Sequence, residues 1–227
     1  MKQGRLILIN ILILVAVIIV GGLGMYYWNQ NYNYVTTEDA SVTAPTIPVP
    51  ALAAGTIQNF ALQVGQHVAK GQVVGQEQTV SMPTSATGKG STSPAYTTLN
   101  IVAPASGTIA TVSTSNGQVV GVGTPLFTEV KLDQVTVVAN IPESKIRNVD
   151  VGQTATIYVD AHPGVSFTGT VDAIQPTTQS FFSLIPTSAT AGTYTKVTQR
   201  VPVVMTINAA GYSLLPGENC EVRITIH

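Results

Sequence analysis

Cysteine is almost absent from this chain. Cys220 is the sole one in 227 residues, so neither an intrachain disulfide nor a thiolate metal cluster can form. Charge is scarce as well: charged residues make up 9% of the chain, against roughly 25% in an average soluble domain. Ten Lys and Arg against eleven Asp and Glu leave a net charge of −1, which provides no basic field and argues against nucleic acid as a partner. Aromatics reach only 6%, few for an aromatic-lined ligand cleft. The three histidines, His67, His162 and His227, have no ligand-spaced partners, and zinc needs three or four convergent ligands. Gly88-Lys89-Gly90-Ser91-Thr92 lacks the earlier glycine of a phosphate-binding loop. Gly164-Val165-Ser166-Phe167-Thr168 misses the nucleophile-elbow pattern at its last position. Cys220 alternates with apolar residues in a strand pattern and reads as a small buried hydrophobe. No catalytic residue, metal or cofactor is expected.

What is abundant is Val, Thr, Gly and Pro, a mixture suited to short strands and tight turns. One long apolar run stands apart. Leu6 to Tyr27 is apolar for 22 residues apart from Asn10, and a bilayer core about 30 Å thick needs about 20 helical residues. Lys2 and Arg5 precede it, so the positive-inside bias places the N-terminus in the cytoplasm and the rest of the chain outside. Tyr26, Tyr27 and Trp28 close the span as an interfacial belt. A cleaved signal peptide is the rival reading. Its apolar core is shorter, about 7–15 residues, and ends in small residues, whereas aromatics stand here where cleavage would fall. An anchor followed by a polar spacer, Asn29 to Asn33, is the expectation.

Beyond the spacer an internal repeat appears at an offset of 52. Ala51-Leu52-Ala53-Ala54-Gly55-Thr56-Ile57 matches Ala103-Pro104-Ala105-Ser106-Gly107-Thr108-Ile109, Gly65-Gln66-His67-Val68 falls on Gly117-Gln118-Val119-Val120, and Gly71 on Gly123. Each copy starts a strand at a glycine and turns at Gly-Gln, where positive φ carries no steric cost. One copy cannot bury both faces of its few strands, so the copies should pack together, with Ile57 and Ile109 inward and Gly65 and Gly117 at positive φ.

This double pattern resembles the two half-motifs of a biotinyl/lipoyl-like domain. A carrier of that type would present a modifiable lysine, but no lysine adjoins Met82, and Lys89 sits in a Gly-Lys-Gly-Ser-Thr-Ser stretch. The other kind of such domain belongs to adaptors. Tyr34-Val35-Thr36-Thr37-Glu38-Asp39-Ala40 looks like the post-helix signature of HlyD-type membrane fusion proteins. Phe182-Ser183-Leu184-Ile185-Pro186, then Ala189, Ala191, Gly192 and Lys196-Val197-Thr198-Gln199-Arg200-Val201-Pro202-Val203, is similar to the EmrA-like branch. The resemblance implies an efflux adaptor that works with a polytopic, proton-driven exporter of the major facilitator class, with homo-oligomers also compatible. It implies no enzyme activity. Gln199, Arg200 and Pro202 are the candidate partner-interface residues, since the resemblance puts their segment in a barrel near the transporter and Arg is enriched in interfaces.

One departure stands out. The insert Thr79 to Leu99, where relatives from double-membrane bacteria carry a coiled-coil hairpin, is Ser-, Thr-, Gly- and Pro-rich without apolar heptads. It is expected as a flexible loop or short extended arm, which suits a cell with a single membrane.

The remainder reads as a small barrel from about 131 to 227. A strand covers Val135 to Ile141, a helical turn follows Pro142, and strands Thr154–Val159 and Ser166–Ile174 flank the turn His162-Pro163-Gly164. The last strand turns Cys220, Val222, Ile224 and Ile226 to one side. The fold class is therefore mainly β: a transmembrane helix within 1–28, a post-helix segment 29–50, a biotinyl/lipoyl-like β-sandwich 51–130 with the insert 79–99, then the β-barrel. The function expected is that of an adaptor in multidrug efflux. The alternative is a stand-alone, membrane-anchored cell-surface binding module.

Overall fold

The computed structural model describes residues 2–81, 95–178, 181 and 198–226. An N-terminal helix α1 (Lys2–Asn33) is followed, among the described residues, by fourteen strands: β1 (Tyr34–Thr43), β2 (Thr46–Pro50), β3 (Gly55–Gln58), β4 (His67–Val68), β5 (Val73–Ser81), β6 (Ala95–Val102), β7 (Gly107–Val112), β8 (Val119–Val120), β9 (Pro125–Val130), β10 (Thr136–Pro142), β11 (Thr154–Val159), β12 (Ser166–Ile174), β13 (Arg200–Asn208) and β14 (Asn219–Thr225). A short helix α2 (Glu143–Ile146) follows β10. The chain forms two compact units: Met1–Val42 with Thr136–Ser213 and Gly217–His227, and Thr43–Val135 with Leu214–Pro216.

The second unit is a sandwich of two four-stranded sheets, ordered β2-β9-β7-β4 and β6-β5-β3-β8. Adding 52 to each strand of the first half gives its counterpart in the second, so both sheets have the same order and each takes two strands from either half. Neither half can close a sheet alone, which is why the repeat folds as one body. Ile57 and Ile109 are buried in its core with Phe60, Leu126 and Phe127. Gly65 and Gly117 have φ of 84° and 81°, as the Gly-Gln turns require. The strand-opening glycines are demanded for a different reason, close backbone approach. A Cβ on Gly107 would stand 2.8 Å from the Val130 carbonyl oxygen, and its counterpart Gly55 is pressed against the Gln78 carbonyl in the same way. Gly107→Ala should therefore cost about 1–3 kcal/mol, read as a lower urea midpoint with an unchanged m-value.

The ends of the insert take the extended form, one of the two expected for it. Thr79 to Ser81 and Ala95 to Leu99 are strand, paired in register as the ends of β5 and β6. Thr and Val suit an exposed ribbon, and the pairing Val80↔Tyr96 adds a cross-strand contact of the stabilising aromatic/β-branched kind. The middle of the insert, including Lys89, lies outside the described residues, as do His227 and 182–197 of the EmrA-like segment.

The first unit contains a closed barrel ordered β1-β10-β13-β12-β11-β14. The post-helix segment 29–50 is thus divided. Asn29 to Asn33, expected as a spacer, continue α1, β1 is a barrel stave, and β2 joins the sandwich. The reason lies in β1's alternation: Val35, Thr37, Ala40 and Val42 are buried while Thr36, Glu38 and Asp39 face water, so the strand needs a core to cover one side. The expected β-pattern of the last strand is present, with Cys220, Val222 and Ile224 buried. Ile226 N–H donates to the Asn33 carbonyl (2.9 Å), tying the final strand to the end of α1.

Of α1, Ile11 to Tyr26 are exposed on every side. Among the described residues no helix is long and apolar enough to cross a membrane.

Candidate partner-binding groove on the barrel

Strand β1 pairs regularly with β14 from Tyr34 to Thr37, then slips, so that Glu38 and Asp39 are bulged between Thr37 and Ala40. A bulge bends its strand and re-aims side chains. Here it opens a groove of about 1000 Å³, lined by Thr36, Thr37, Glu38 and Asp39 from β1 and by Pro142, Asp160, Arg200, Asn219, Cys220 and Glu221.

Polar contacts fix one wall. Thr37 Oγ1 donates to the Asn140 carbonyl (3.0 Å) and accepts from Asp39 N–H (3.2 Å). Asn140 Nδ2 donates to Asp39 Oδ1 (3.0 Å). Arg200 Nη1 lies 3.2 Å from Asp39 Oδ2 and 3.4 Å from the Asn140 carbonyl. Both members of the ion pair are nearly half exposed (41% and 47%), so the pair contributes about 0–1 kcal/mol and serves more to hold Arg200 in place.

Carboxylates prevail in the lining: Glu38, Asp39, Asp160 and Glu221 against Arg200. The thiol of Cys220 is buried, and burial, assisted by Asp160 and Glu218, pushes its pKa up to about 11. At neutral pH it is therefore protonated and a poor nucleophile. Among the described residues no group of three or more His, Cys, Asp or Glu side chains could hold a metal.

The three residues singled out in the sequence fall differently. Arg200 opens β13, opposite Pro142, and lines the groove, but it is paired rather than free. Gln199 adjoins it, half-buried, and its carbonyl accepts the Glu143 N–H (2.9 Å). Pro202 is buried, pairs with Asn140, and presents its carbonyl to Gln175 N–H (3.0 Å). Sequence reasoning did not name Asp39 or Asn140 as site residues. The usable signal was Asp39 itself, an acid in one distinctive segment of a chain where charge is rare and the other distinctive segment carries a lone Arg.

The fold comprises a closed six-stranded barrel and a two-half sandwich. Solved structures share it: the periplasmic adaptor protein EmrA (TM-score 0.53, 13% identity, 86% of this chain and 99% of that one), MacA from Actinobacillus actinomycetemcomitans (TM-score 0.62, 14% identity, 86% and 80%), and the membrane fusion protein Spr0693 from Streptococcus pneumoniae (TM-score 0.59, 12% identity, 86% and 99%). A family model for the CusB-like β-barrel domain matches residues 134–180. The putative efflux system component YhbJ of Bacillus subtilis is 36% identical over 228 aligned residues, covering 99% of this chain and 95% of that protein. The chain belongs to the HlyD/EmrA-type membrane fusion proteins, the adaptors of efflux systems. The colistin resistance protein EmrA of Acinetobacter baumannii is 30% identical over 56% of this chain, which corresponds to only 36% of that longer protein. The family is one of adaptors and not a known enzyme class.

Proposed function

We propose that this protein is the extracytoplasmic adaptor of a multidrug efflux system, anchored by α1 and coupled through the barrel groove to a polytopic exporter of the major facilitator type. The observation that carries the reading is a convergence. The post-helix signature and the Gln199-Arg200 segment, about 160 residues apart in sequence, meet at Asp39 and Arg200 in one groove. The likeness to the EmrA-like branch supports an exporter of the proton-driven major facilitator class.

An apolar helix without a polar face needs an apolar surround, and a bilayer supplies it. With Lys2 and Arg5 on the cytoplasmic side, both β units stand outside. Protease added to intact spheroplasts is expected to degrade both units; survival until the membrane is lysed would refute this orientation. Among the described residues the groove lining contains no aromatic side chain, and an aromatic-lined cleft is what a stand-alone ligand-capturing module would need.

A further inference from the structure

The two halves of the sandwich bury one glutamate each, and the two are treated unequally. Glu77 and Glu129 are equivalent at the repeat offset and are 1% and 0% exposed. Their surroundings match strand for strand: Glu77 lies between Ile57 and Leu99, and Glu129 between Ile109 and Ile47. The donors do not match. The Glu77 carboxyl accepts N–H bonds from Leu52 and Ala53, both 3.2 Å. At the equivalent positions stand Pro104, which has no N–H, and Ala105. Both oxygens of Glu129 are buried without a hydrogen-bond partner.

We propose that Glu129 is a pH-responsive latch in the second half-motif, closed in mild acid when the carboxyl is neutral and loosened when it ionises. A buried carboxylate without partners is costly, whereas the neutral acid is tolerated. Burial accordingly raises its pKa above the usual 4.5, and the Ala105 amide offsets this only in part, without a hydrogen bond of ordinary geometry. Surrounding charge does not explain the shift. The flanking strands β2 and β7 carry no titratable side chain, and β4 carries only the exposed His67. In the facing sheet β3 and β8 carry none, β6 carries the exposed Tyr96, and β5 carries Glu77, which is engaged with its own two amides. Lys131 and Asp133, just past β9, are not among the causes of the shift.

The sign follows from proton linkage. With the folded pKa raised, the folded state holds its proton more tightly than the unfolded chain. The stability from neutral Glu129 is fully present below the unfolded pKa and is lost as pH rises through the folded one. The loop 103–106 and β9 should thus be firmest in acid.

Hydrogen exchange on the full-length chain in detergent micelles tests this, comparing variants with wild type at the same pH over residues 103–112 and 125–130. Glu129→Gln keeps the shape and removes the charge. It should slow exchange by about tenfold at about pH 8 and change it less than about twofold at about pH 4, below the ordinary carboxyl pKa. Pro104→Ala, which restores the missing donor, should also slow exchange at pH 8 selectively, and it decides the matter should the Gln variant not fold. Equal effects at both pH values, or no effect from either variant, would overturn the proposal. The readout concerns Glu129 alone, so its failure would leave the adaptor reading standing.

Discussion

Glu77→Ala lowers the thermal midpoint of the full chain by roughly 10 °C, the largest effect expected of any single truncation at a polar position of the sandwich. Among the described residues the carboxyl is the acceptor for the Leu52 and Ala53 amides. Removing it strands two backbone donors and leaves a gap beside Ile57 and Leu99. Each stranded donor costs about 1–3 kcal/mol, and partial access of water near exposed Leu52 reduces the total to about 3 kcal/mol. Glu129→Ala is the internal control. It removes a side chain of the same size from the equivalent site but breaks no hydrogen bond, so its cost should be less than half as large. Calorimetry on both variants at one pH checks the ordering. Equal losses would mean that packing, and not the two amides, fixes Glu77.

Arg200→Glu sharply reduces recovery of the transporter from detergent extracts, by about tenfold, with a loss of folding stability of at most about 1 kcal/mol. Arg200 is already paired with Asp39 at 3.2 Å. The substitution puts two carboxylates together at Asp39, in addition to any effect on a partner. The swap Asp39→Arg with Arg200→Glu separates the two causes. It restores an internal ion pair of opposite polarity, so a purely structural role would be rescued. A partner contact would not be rescued, because the charge offered at the groove remains reversed. Recovery and thermal unfolding measured on the single and double variants distinguish these outcomes.

Much of this architecture was legible before any coordinates. The repeat spacing announced the sandwich because glycine has specific uses there, and Gly65 and Gly117 adopt the positive φ their turns require. The strands flanking His162-Pro163-Gly164 fall at the expected residues, since turn chemistry and alternation agree there. Less legible was where β1 belongs. Its partners β10 and β14 lie about 100 and 180 residues further on in sequence, and no local pattern carries such pairing. The insert was legible only as a loop or an extended arm, because Ser- and Thr-rich sequence looks the same in a loop and in an exposed ribbon. At the groove, the segments were found but not their meeting point. Arg200 read as a partner-interface candidate, and its ion pair was hidden because its anion is 161 positions away. The unequal glutamates could have been seen from the same offset of 52, had the comparison been extended from the glycines to Glu77, Glu129 and Pro104.

The central claim is that this chain acts by holding a transporter. The most direct measurement is affinity purification of the tagged full-length protein from cross-linked, detergent-solubilised membranes of its own cell, with the co-purifying proteins identified by mass spectrometry. The adaptor reading predicts one dominant many-span exporter, depleted when Arg200→Glu is used as bait. Recovery of the chain with no polytopic membrane protein, or with cell-wall polymer in its place, would contradict it.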